Sequence, residues 1–148
     1  MATVKGTNRT LADTPTGSNI MDAGLQAGKL RVIMDDYEAS ASASGTIIEL
    51  GAYLPKGARV LEVILTTDDL GATTTVEVGD YEDADRYITA TVCTTANQVT
   101  RLNAIDGRQY EVDETTATAT GTDRQIIATI GVAAATGTIK VEVIYTYE

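Results

Sequence analysis

Six consecutive residues, Asp80-Tyr81-Glu82-Asp83-Ala84-Asp85, hold four carboxylates and form the densest cluster of chemically capable groups in the chain. Calcium takes about six to eight oxygen ligands, and carboxylates at loop spacing can supply them. The cluster lacks the spacing and the glycine of a helix-loop-helix calcium loop. A solvated acidic turn is the simpler reading, so no metal ligands are assigned. Cys93 is the single cysteine, and the chain has no histidine to activate it. A nucleophilic thiol needs such a base, so Cys93 reads as a small structural residue. The missing histidine also excludes every acyl-transfer triad built on one. No phosphate loop, dinucleotide fingerprint or zinc-ligand cluster is present. Carboxylate pairs arise by chance among 21 acidic residues, and none stands beside an aromatic platform suited to a sugar. No catalytic residue and no cofactor is expected, and the chain reads as a non-enzyme.

Charge narrows the partners. The net charge is −10, which disfavours nucleic-acid backbones and anionic membranes. It is unevenly spread, because residues 1–29 carry Lys5, Arg9 and Lys29 against Asp13 and Asp22. A slightly basic leader therefore precedes an acidic body. No apolar run approaches the ~20 residues of a membrane span, and the polar start lacks a signal-peptide core. Synthesis in the cytoplasm is expected.

The elements around these groups are strands. From Thr138 to Glu148 apolar and polar residues alternate, with Ile139, Val141, Val143, Tyr145 and Tyr147 on one parity and only Ile144 out of place. Successive strand side chains point to opposite faces, so one face of this strand is buried. Leu30, Val32 and Met34 form a first alternating run, broken by Asp35 and Asp36. Ala39 to Gly45 reads as a small-residue loop. Ile47, Ile48 and Leu50 form a short strand, and Leu54-Pro55-Lys56-Gly57 a tight turn. Arg59 to Thr67 is apolar on both parities, which predicts a central strand covered on both sides, one of them by a subunit contact.

Thr74, Val76 and Val78 form another alternating strand, as do Ile88, Ala90 and Val92, while Val99 and Leu102 mark a short one. Asp106-Gly107 signals a turn before Tyr110 and Val112. Thr115 to Thr120 follows. Ile126, Ala128, Ile130 and Val132 form the next strand, and Gly137 closes the turn into the last. Eight to ten short strands at this spacing, without Phe or Trp, predict an all-β fold: an antiparallel β-sandwich, jelly-roll-like by preference. Tyr37, Tyr53, Tyr81 and Tyr110 fall near predicted loops, which leaves a carbohydrate platform open.

Residues 1–29 read differently. Four glycines sit there among Thr, Ala and Asn, with few large apolar residues. Such a segment buries little surface alone and reads as an extended N-terminal arm ahead of a sandwich domain at 30–148. Lys5, Arg9, Leu11, Ile20 and Leu25 are its candidate partner-binding residues.

The run from Gly51 to Val63 resembles small virion proteins of tailed bacteriophages. Those proteins carry a leader and then a Leu-Pro-x-Gly-Ala-x-Val passage from turn to strand, here Leu54 to Val60. Later they show a Thr/Ala-rich strand and a Gly-bounded terminal strand, as at Thr138 to Tyr147. The likeness spans about residues 45–148. It implies a capsid decoration, or cement, protein: a β-sandwich seated on the assembled head, binding the major capsid protein and other copies of itself, often as a homotrimer. Its place would be the virion surface, after assembly in the host cytoplasm. A receptor- or carbohydrate-binding module and a tail-tube or tail-completion subunit are the alternatives.

Overall fold

The computed structural model describes residues 28–113 and 124–147. Within them the chain forms eight strands and no helix: β1 (Lys29–Ser42), β2 (Ile47–Leu50), β3 (Arg59–Thr67), β4 (Thr75–Gly79), β5 (Ile88–Val92), β6 (Gln98–Arg101), β7 (Ile126–Gly131) and β8 (Ala135–Tyr147). They make two four-stranded sheets, ordered β1-β8-β3-β6 and β2-β7-β4-β5. Every pairing is antiparallel. The pairs β1–β8, β2–β7, β3–β6 and β4–β5 nest inside one another, as when a single long hairpin is rolled up. The all-β sandwich expected from period-two patterning is the fold observed.

Parity sorts the core. Val60, Val63 and Leu65 of β3 and Ile139, Val141, Val143 and Tyr145 of β8 point inward from one sheet. Ile48, Leu50, Val76, Val78, Ile126, Ala128 and Ile130 meet them from the other. Tyr145 is buried on the predicted face, and Tyr147 packs partly against the same core. Branched aliphatic side chains fill the space between pleated sheets without large rings. Cys93 is buried just past β5, and burial pushes its thiol pKa up. That suits the structural role expected of it.

Several expected boundaries move. No break occurs at Asp35 and Asp36, and Ala39 to Ser42 is strand rather than loop, because β1 pairs with β8 from Lys29 to Ala39 and again at Ser42. Ala39 is buried, and a bulge before Ser42, with Ala41 at φ 51°, absorbs the bend. Small residues supplied no local pattern there; the ladder to β8 did. Likewise β8 begins at Ala135, so Gly137 lies inside a strand instead of closing a turn. A side chain at that glycine would crowd Asp68 and Leu70. The turn falls at Val132, expected in β7 but exposed at φ 63°. Ala90 and Val92 do not share the burial of Ile88, since the β4–β5 register shifts between Val76 and Val78. Tyr110 and Val112 follow the expected turn but form no strand of their own. Instead they bond to the start of β3, with the Val112 amide donating to the Ala58 carbonyl and the Val60 amide to the Tyr110 carbonyl. Thr115 to Thr120 lies outside the described residues.

Candidate functional site

The acidic cluster lies in the loop between β4 and β5, and it faces inward more than its composition implies. Asp80 is fully buried. Its carboxylate accepts the amides of Glu82 and Asp83, each at 2.9 Å, and the Arg86 Nε at 2.5 Å. The Arg86 guanidinium lies 4.0 Å from the centre of the Tyr110 ring, and Tyr110 meets Tyr87 edge to face. A cation over a ring face and a carboxylate in its plane satisfy both sides of the guanidinium. Gly79 lets the loop turn back this closely, since a Cβ there would stand 2.1 Å from the Asp83 carbonyl oxygen. Asp80 is therefore a structural clasp rather than one more solvated charge. Among the described residues no group of three or more metal-ligating side chains is arranged to hold an ion.

Charge crowding remains around the clasp. Glu77 is raised above its ordinary pKa by burial and then by Asp85 and Asp83. Asp85 is raised because it shares a hydrogen bond with Asp83. Each carboxyl binds its proton more tightly when folded than when unfolded. Their contribution is therefore complete below ordinary carboxyl values of about 4 and is lost as pH rises through the raised values. Relief of self-repulsion in so acidic a chain acts in the same direction. Thermal melting temperature should accordingly rise as pH falls from 7 towards 5, and a fall over that range in a melting series would contradict this account.

The tyrosines do not gather into a platform. The Tyr37 hydroxyl lies 3.2 Å from the Ser42 hydroxyl, and both Tyr37 and Tyr110 pack against the core. Tyr81 donates to Glu49 at 2.5 Å, tying the loop after β4 to β2. Tyr53 is exposed with Arg124 5.7 Å from its ring centre. An open depression of about 390 Å³ beside the clasp is lined by Asp83, Asp85, Arg86, Asn103 and Ile105 among others. It holds no aromatic ring.

The exceptional surface is the outer face of the β1-β8-β3-β6 sheet. Leu30, Val32 and Met34, which carry the first alternating pattern of the sequence, are 68%, 55% and 59% exposed. The opposite parity of β1, with Ile33, Tyr37 and Ala39, turns to the core. Two contacts hold that choice. Ile33 fills the notch at Gly51, where an added Cβ would lie 2.3 Å from its methyl, and Asp35 accepts the Gly51 amide at 2.7 Å. A slip of one residue would bury the apolar row and expel Ile33. The row continues onto the half-covered Ile144 and Ile64. β3 is thus an interior strand, as its two-sided apolarity predicted, with its outer side chains only partly covered by its own chain. Alternation was visible in β1, but which parity faced inward was not. The expected partner-binding residues Lys5, Arg9, Leu11, Ile20 and Leu25 lie outside the described residues.

Chains of two phage capsids share this fold. One belongs to the cyanophage Pam1 capsid asymmetric unit: it is 25% identical, with a TM-score of 0.68 over 82% of this chain and 86% of that one. The other belongs to the capsid of Ralstonia phage GP4, at 23% identity and a TM-score of 0.59 over 89% and 93% of the two chains. No family model matches the sequence, and no curated protein matches it.

Proposed function

We propose that the chain is a structural protein of a phage virion, and within that class a decoration protein that binds the assembled head and stabilises it by bridging neighbouring subunits. What supports the reading is the likeness, over most of both chains, to a chain of a phage capsid. The lack of histidine excludes histidine-based catalysis, and the dispersed tyrosines offer no aromatic platform for a sugar. On this reading the major capsid protein is the partner, the capsid surface is the location, and copies associate, three around a local axis being the expected number.

Bridging adds contacts that expansion or rupture of the shell must break. Strand addition by an extended arm would supply them through backbone hydrogen bonds, with apolar side chains setting the register. Residues 1–29 fill that role, with Lys5 and Arg9 meeting acidic surface and Leu11, Ile20 and Leu25 providing apolar anchors. Removing residues 1–29 should leave the sandwich folded but weaken binding to undecorated heads by at least tenfold in a co-sedimentation assay. Equal binding by the full and shortened chains would overturn the arm's role.

A further inference from the structure

We infer that copies of this chain associate side by side, the β1 edge of one against the β6 edge of the next, in a contact that deepens and rests on the assembly reading above. β1 and β6 are the two end strands of one sheet, and each has a strand neighbour on one side only among the described residues. Unpaired backbone groups on such edges are templates for another strand. Direction permits the match. β1 is antiparallel to β8, β8 to β3, and β3 to β6, so β1 and β6 run opposite ways. Placing β6 of one copy beside β1 of the next continues the antiparallel sheet without reversal.

The side chains on the outer face fit the same joint. Met34, Glu142, Ile64 and Arg101 lie at one level across the sheet, and Asp36, Lys140, Thr66 and Val99 at the next. In an unshifted joint Arg101 stands across from the neighbour's Met34 with Asp36 on its diagonal, and Val99 has Met34 on its own diagonal. Diagonal neighbours on a sheet face are within reach of long side chains. Among the described residues Arg101, itself 64% exposed, has an ion-pair partner in the half-buried Glu62 carboxylate at 3.7 Å. Asp36 and Glu38 leave the β1 strip acidic beyond its apolar row, while β6 offers a cation and an exposed valine. The two strips complement each other and sit on opposite edges of the same molecule. A second copy is therefore the occupant. The joint also flanks Val32 and Met34 on the side that β8 leaves open.

The test is the mass of the purified full chain by sedimentation velocity across micromolar concentrations. The natural chain should associate, Arg101→Glu and Met34→Lys should each weaken association at least tenfold, and adding Asp36→Lys with Glu38→Lys to Arg101→Glu should restore it. All these positions are exposed, and unchanged circular dichroism would verify that the variants fold. A monomeric natural chain, or association indifferent to Arg101→Glu and Met34→Lys, overturns the joint. Co-sedimentation with undecorated heads separates the two ideas. Association through this edge without head binding would defeat the decoration reading alone, whereas head binding by a monomer would defeat the joint alone.

Discussion

Asp80→Ala should lower folding stability by about 3–5 kcal/mol in urea denaturation, the usual cost of removing one partner from a buried ion pair. The size follows from what is stranded. The Arg86 side chain is only 12% exposed and depends on the Asp80 carboxylate for its in-plane bonds. The amides of Glu82 and Asp83 lose their acceptor in the same stroke. Asp80→Asn should cost less, since an amide oxygen can still receive those two amides, although Arg86 is then left with the Glu82 carboxylate at 3.9 Å as its ionic partner. Replacing both partners, Asp80→Ala with Arg86→Met, should recover part of the loss, because an apolar pair leaves no uncompensated charge. A single-variant loss under about 1 kcal/mol would mean that the pair is dispensable and that the close backbone approach at Gly79 holds the loop.

The second large effect separates the two faces of β3. Leu65→Ala should cost about 2–5 kcal/mol, the range for deleting a buried leucine and leaving a cavity. Leu65 is 1% exposed among Val63, Val141 and the facing sheet. Ile64→Ala, one residue away on the outer parity, should cost about 1 kcal/mol or less in the isolated chain, as for partly solvated positions. Equal losses at the two sites, read from denaturant midpoints, would refute the parity assignment. In an assembled particle the contrast should narrow if a neighbour covers the outer face.

In β1 the local pattern is ambiguous. Leu30, Val32 and Met34 alternate as a buried row would, but Ile33, Tyr37 and Ala39 also alternate on the other parity. Period two fixes that the two sets separate, not which is hidden. Gly51 decides it: a notch just past the end of β2 admits Ile33, and its amide fixes Asp35. The acidic loop shows the same limit. Four carboxylates in six residues read as one kind of object, yet Asp80 differs from the rest because Arg86 folds back over it beneath Tyr110. Tyr110 comes from a segment 24 residues further along than Arg86. No local signal links them.

For this protein, alternation along each segment was enough to establish an antiparallel sandwich, an aliphatic core and the lack of histidine-based chemistry, since side-chain direction and residue inventory are local properties. Tertiary structure decided strand order, the turned face of β1, the extension of strands through Ala39 and Ala135, and the Asp80 clasp. Those features depend on groups distant in sequence competing for the same space and the same hydrogen bonds, and that competition is settled only when the two sheets close on each other.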